Sequence, residues 1–417
     1  MSKLATVWPG KLPLACLAGT GRYTVIATHF REISWEQAAS IPLRVPQASG
    51  LPFGRGLLGV LSYDQFDEAG SASGAVPRVL RVEAALVYDR DLQLLHLPQS
   101  NQSRHEGDVY VDPQGLAQGL IRAAQVGETE SQLTQLLPTT GDDDYRQQVR
   151  QILQDIRAGR YYQLNLLRYF RVRQRLSRSW LAGRLDTCAG PFGAWFELPG
   201  LSLISLSPER FVRIFAGSGS ESKATIETRP IKGTAARFEG QPEADAKAAA
   251  DLLKSAKDRA ELAIIVDLMR NDLFRVGQPG SVRVRSAGDL LSAHGVHHLE
   301  AQVQAQLRLP QTLGGMLAHI CPGGSITGAP KREVMSAIRA YEGRARGYFM
   351  GHAFYLDDHG SFDSSLLIRT LVGSGDGHYE YAAGSGIVIG SDPEAERLEI
   401  AAKCQVITGS STVGLRA

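Results

Sequence analysis

Cysteine is scarce in this 417-residue chain: Cys16, Cys188, Cys321 and Cys404 lie far apart and form no CxxC pair. Their isolation excludes a disulfide framework and a structural zinc site, and it makes a reducing cytoplasm the expected compartment. Long apolar runs are also missing. None approaches the roughly 18 residues of a membrane span, so no membrane partner is expected. Residues 12–18 are too short for a secretion signal, follow Lys11 and contain Pro13, which suits a strand or loop. Nor does one sign of charge dominate, since 45 Lys and Arg stand against 43 Asp and Glu, a formal charge of +2. Bulk electrostatics therefore give no reason to expect nucleic acid, and any anionic ligand must be held locally. Repeats of fixed period and low-complexity tracts are absent too. What remains, 43% hydrophobic and 21% charged residues, is the composition of a soluble globular protein.

Residues 1–135 alternate short apolar runs with turn residues and are expected to form a β-rich N-terminal region. The polar stretch 126–144 reads as a linker to a core spanning 140–405, the two parts packing as one unit. Val149, Ile152, Leu153 and Ile156 repeat at helical spacing, which predicts a helix capped by Asp142 or Asp143 and ending near Gly159. Alternation predicts strands over 161–172, 201–206, 211–215, 351–356, 366–372 and 387–389, with a helical stretch over 242–274 and a last helix over 392–404.

Several constellations could carry chemistry. On the last helix, Asp392 and Pro393 form a start signal. Glu396, Glu399 and Lys403 then fall three and four residues apart on one face, as an exposed ion-pair ladder or as a site. Just upstream, Gly384, Ser385 and Gly386 allow close approach of a carboxylate or phosphate to backbone N–H groups. They do not match a dinucleotide fingerprint, and the run from Pro322 to Lys331 offers Gly-Ala-Pro-Lys where a phosphate loop needs Gly-Lys-Ser/Thr. Glu209 ends an apolar strand, where a partly desolvated carboxyl could serve as a general acid or simply pair with Arg210. Lys232 sits between Ile231 and Gly233 with Arg229 three positions earlier, surroundings that would favour an uncharged, nucleophilic amine unless the side chain is solvated. Glu261 lies on the charge-dense helical stretch. With Glu399 it would suffice for a hard cation such as Mg²⁺.

Taken in order, Tyr162 to Leu166, Ser207 to Phe211, Arg229 to Thr234, Lys257 to Asp272, His297 to Leu299, Pro322 to Lys331, Ile368 to Leu371 and Gly384 to Lys403 resemble the chorismate-utilising enzymes. That family comprises anthranilate synthase component I, aminodeoxychorismate synthase component I, and the isochorismate and salicylate synthases. Pro52 to Gly59 resembles its N-terminal region more loosely. The resemblance implies a large α/β fold with two face-to-face, antiparallel-rich sheets flanked by helices.

Two positions distinguish the subfamilies. Isochorismate and salicylate synthases use a lysine to activate water where this chain has Gln163, an amide that takes no proton at neutral pH. Anthranilate synthases carry alanine where this chain has Lys232, which resembles the lysine that attacks C2 of chorismate in the aminodeoxychorismate synthases. The implied reaction converts chorismate and ammonia to 4-amino-4-deoxychorismate, the precursor of p-aminobenzoate and folate.

By the same resemblance, Mg²⁺ would be held by Glu261 and Glu399 with Glu396 nearby. Glu209 would be acid and then base, while Arg369, Lys403, Tyr355 and the backbone at Gly384, Ser385 and Gly386 would hold substrate carboxylates. His298 and Thr327 would line the pocket. No segment resembles a Cys-His-Glu glutaminase, so a separate glutamine amidotransferase subunit is implied as the ammonia source. The chain departs from the family at Glu300-Ala301 and at Ala18-Gly19-Thr20, which lacks the Leu-Leu-x-Ser signature tied to tryptophan binding in relatives. The competing expectations are an anthranilate synthase component I and a non-catalytic, chorismate-binding regulatory subunit.

Overall fold

The computed structural model describes residues 4, 7–9, 12–17, 23–47, 53–66, 75–97, 108–122, 135–188, 190–217, 223–238, 240–293 and 296–408. Ala18-Gly19-Thr20, Pro52 and residues 126–134 of the expected linker lie outside these residues.

Strand pairing is antiparallel and passes from neighbour to neighbour without a break. Leu136–Pro138 pairs with Gln163–Val172, followed by Tyr379–Val388, Thr370–Gly373, Leu201–Ser205 and Ala194–Leu198. The next partners come from the N-terminal region: Leu14–Leu17, Tyr23–Ile33, Arg78–Asp89 and Gly56–Leu61. The path then returns through His352–Asp357, Phe362–Leu366, Arg210–Ala216, Ala224–Thr228, Val296–Gln306 and Arg283–Ala293.

Because side chains alternate across a strand, each face of this long sheet collects its own apolar residues. Ala15, Val25, Phe196, Leu203, Leu58 and Ala353 meet in a core between strands. Helices Asp142–Arg157 and Pro393–Thr408 cover a second core, where Val149, Ile152, Ile400 and Cys404 meet Leu164, Leu166 and Ile387. Helices Ala256–Val276 and Leu313–Ile320 cover a third, with Ile265, Met269 and Leu317 against Val303 and Ile214. The architecture is the expected α/β one of helices on a large antiparallel sheet. Among the described residues no helix is long and apolar enough to cross a membrane, and Cys16, Cys321 and Cys404 are buried.

Three local expectations need correction. The cap of the Asp142–Arg157 helix is Gly141; Asp142 falls inside the first turn and pairs instead with Arg168 at 2.6 Å and Arg397 at 3.2 Å. The stretch 242–274 is two helices, Pro242–Lys254 and Ala256–Val276. Ser255 separates them in extended conformation, and its hydroxyl accepts from the Asp258 N–H at 3.2 Å. Such a cap ends one helix and starts the next, which apolar spacing alone does not reveal. Residues 366–372 are not a single strand, because the chain turns between Phe362–Leu366 and Thr370–Gly373, with Arg369 in the left-handed region at φ +51°.

Candidate active site

Lys232 lies on strand Ile231–Ala236, which pairs with Val296–Gln306 and shifts register between Lys232 and Ala235. An irregularity of this kind re-aims the side chain beside it. Gly233, at φ +66°, makes the turn, and a Cβ there would press on Leu252 and Asp258. His298 bonds the Gly233 carbonyl through Nδ1 at 2.8 Å. Since a carbonyl only accepts, Nδ1 carries the proton and Nε2 is the acceptor nitrogen of the neutral ring. Burial, against the Gly233 bond, pushes the His298 imidazole below its usual value, so the ring stays neutral.

Lys232 is within electrostatic reach of three carboxylates, Glu209, Glu261 and Glu399. Glu209 sits between strands Leu201–Ser205 and Arg210–Ala216. Burial raises its carboxyl from 4.5 to about 7, against the pull of Lys232, a hydrogen bond from Ser325, and the charges of Lys403 and Arg369. A carboxyl near 7 can give and take a proton at neutral pH, the condition for a general acid and base. Burial lowers the Arg369 guanidinium from its ordinary value, with Tyr381 and Glu209 opposing. Its left-handed backbone is uncommon for a residue with a side chain and is the kind of strain found at ligand sites.

The Pro393–Thr408 helix closes the other side. Asp392 caps it, accepting from the Glu394 and Ala395 N–H groups at 3.0 and 2.9 Å. Lys403 Nζ donates to the Gly384 carbonyl at 2.6 Å and to Glu399 at 2.7 Å. Strand Tyr379–Val388 pairs with Thr370–Gly373 only over Tyr379–Tyr381, and Lys403 meets it beyond that point. A Cβ on Gly384 would collide with the Leu166 carbonyl, and one on Gly386 would lie 2.8 Å from Gln163 Nε2. Close strand packing therefore requires both glycines, and Gly386 lets Gln163 lie over the strand.

Burial holds Glu261 above its usual value, with Glu399 and Asp258 adding to the rise and Lys232 and Lys257 opposing. Glu399 ends up below the usual value: burial acts to raise it, and Lys403, Lys232 and Lys257 outweigh that. Among the described residues no three His, Cys, Asp or Glu groups are gathered to hold a metal unaided. Mg²⁺, however, takes few protein oxygens and completes its shell with water and ligand. The mutually repelling Glu261 and Glu399 suit a hard cation.

Several expected residues are placed differently. Arg229 does not border Lys232: it bonds Glu227 at 2.9 Å and faces Glu300 at 3.6 Å, because Pro230 interrupts the strand between them. The Thr327 hydroxyl donates to Gly323 O at 2.9 Å, closing its own turn. Tyr355 projects into the core between strands, edge-on to Phe53 and near Asp363 and Arg210, not into the cluster around Lys232. Ser385 pairs with Leu166 on the helix-covered face, opposite Gly384 and Gly386. One participant was missed. Ser325, which bonds Glu209, lies in the Gly-Gly-Ser-Ile-Thr-Gly run that fails to match a phosphate loop.

A buried acid poised near neutrality, an amine within its electrostatic reach and two further carboxylates near that amine form an arrangement that can support acid–base and nucleophilic chemistry. Residues 13–409 match the family described as chorismate binding enzyme. The chain belongs to this family: it is an enzyme, and its ligand is chorismate. Aminodeoxychorismate synthase component 1 of Klebsiella aerogenes is 37% identical over 372 residues, 87% of this chain and 79% of that one. The protein of the same name from Escherichia coli (strain K12) is 33% identical over 369 residues, 86% and 77% of the two chains. Among solved structures, anthranilate synthase component I of Streptococcus pneumoniae TIGR4 superposes with a TM-score of 0.76 at 22% identity, covering 93% of this chain and 92% of that one. At that identity the likeness establishes the fold.

Proposed function

We propose that this enzyme aminates chorismate at C4, giving 4-amino-4-deoxychorismate, with ammonia delivered by a glutamine amidotransferase subunit. The observation that carries the reading is Lys232, an amine in reach of the buried acid Glu209 and of the two metal-suited carboxylates. The names of the relatives 33–37% identical to it support the same activity.

In this reading the Lys232 amine forms a bond to ring carbon C2, the ring double bonds shift, and the C4 hydroxyl leaves as water with a proton from Glu209. Ammonia then bonds to C4, the shift reverses, and the C2–Lys232 bond breaks. Glu209, now a carboxylate, takes back a proton released from nitrogen. Arg369 and Lys403 hold the substrate carboxylates. Gln163 faces the same side of its strand as Gly386 and supplies an amide that orients an incoming nucleophile but cannot deprotonate water. Glu261 and Glu399, with Glu396 behind, would hold Mg²⁺, which when bound would clamp and polarise the ring carboxylate.

Incubation with chorismate, ammonium and Mg²⁺ should yield aminodeoxychorismate, followed by chromatography and mass. Anthranilate with equimolar pyruvate would instead establish an anthranilate synthase, and chorismate binding without turnover would establish a regulatory subunit. Glutamine should replace ammonium only when the amidotransferase is added.

A further inference from the structure

Behind the glycine segment, on the helix-covered face of strand Tyr379–Val388, three enclosed polar atoms have no hydrogen-bond partner: Tyr145 Oη, Ser385 Oγ and Glu396 Oε2. They come from three separate elements, helix Asp142–Arg157, the strand itself and helix Pro393–Thr408. Their residues are 0%, 4% and 3% exposed. They are also neighbours, since the Ser385 hydroxyl adjoins the Tyr145 phenol and the Glu396 and Glu399 carboxylates act on it. Burial foremost, then the two carboxylates, keep that phenol protonated, against Ser385 and Arg168. A carboxylate oxygen can only accept and a hydroxyl can donate, so one water held between these groups would satisfy the carboxylate and both hydroxyls.

We propose that Tyr145 is a positioning residue: with Ser385 it bonds Glu396 and fixes the carboxylate face of the last helix, Glu396 and Glu399, in the orientation that receives Mg²⁺. The inference rests on the metal assignment made above for those glutamates. Groups that hold metal ligands from behind typically alter metal affinity by about 10–100-fold when removed. Glu396 and Glu399 are three apart on one helical face, so a bond that fixes the first also sets the rotation that aims the second.

The test is Mn²⁺ binding to the whole protein, read from the electron paramagnetic resonance of free Mn²⁺, beside the Mg²⁺ dependence of chorismate turnover. Tyr145→Phe, which removes one oxygen, should weaken Mn²⁺ by about 10–100-fold. It should raise the Mg²⁺ needed for half-maximal turnover far more than it lowers the maximum. Ser385→Ala should act in the same direction, and it serves as the readout should the tyrosine variant lose its far-UV spectrum. In a Glu396→Ala background the tyrosine substitution should add little, because the acceptor is already gone. Mn²⁺ affinity indifferent to both substitutions in folded protein overturns the proposal, even if turnover falls. If Mn²⁺ weakens as expected while chorismate is not aminated, the functional reading fails and the positioning role stands. Unsubstituted protein that binds no Mn²⁺ overturns both the metal assignment and this inference.

Discussion

Lys232 and Glu209 divide the proposed chemistry, and each has a signature that mutation should expose. Lys232→Ala should abolish the covalent adduct formed with chorismate; intact-mass spectra in which the variant still gains the adduct mass would falsify the assigned role. Glu209→Gln should slow turnover by about 10²–10⁴-fold, the usual worth of a general acid. The pH profile gives a second reading. With its carboxyl raised to about 7, Glu209 carries the proton needed for the departing hydroxyl below that value and loses it above. The ratio kcat/KM should therefore fall as pH rises through about 7, and Glu209→Gln should flatten that limb. The same carboxyl binds a proton between its unfolded value near 4.5 and about 7 that the unfolded chain has released, so its contribution to stability declines across that window as pH rises. Residue types and spacing pointed to both side chains, because a strand end and a lysine flanked by Ile231 and Gly233 are local facts. The outward course of Arg229 was not local. Pro230 resets the alternation between Thr228 and Ile231, and counting residues across it misleads.

Among elements, the floor of the site is held by one enclosed ion pair. Arg346 and Glu342 have 1% and 0% of their side chains exposed and meet one turn apart, at the end of helix Lys331–Glu342. Arg346 also donates to the carbonyls of Ile326 and Asn165 at 2.9 and 2.7 Å, and Glu342 accepts from the Leu167 N–H at 2.9 Å and the Tyr169 hydroxyl at 2.8 Å. Strand Gln163–Val172, with Gln163, is thereby tied to the Ser325 loop that bonds Glu209. Arg346→Met would leave a buried carboxylate uncompensated and should lower stability by about 3–5 kcal/mol in denaturant titrations. A loss below about 1 kcal/mol, the size expected of a surface pair, would show that the lock contributes little. Helices with apolar repeats were legible in sequence to within a few residues. The Ser255 break and the Arg369 turn were not, because each is fixed by what it contacts: Ser255 by the Asp258 amide, and Arg369 by the strands it joins.

For the whole molecule, the order of strands matters most. Leu14–Leu17 and Tyr23–Ile33 lie between Ala194–Leu198 and Arg78–Asp89, so the N-terminal region is an internal part of the sheet that carries the site. Urea unfolding should then give one transition, with tryptophan fluorescence and far-UV circular dichroism coinciding; two separated transitions would show that 1–135 and 140–405 fold independently. Strand partners so distant in sequence leave no trace in local periodicity, which is why alternation revealed strands and not their order. The last helix has a temporal consequence as well. A ribosome makes Glu209, Lys232 and Glu261 well before it reaches Glu399 and Lys403. If Glu399 and Lys403 hold metal and substrate as proposed, a nascent or prematurely terminated polypeptide that carries the amine and the acid should turn over no chorismate until this helix is made.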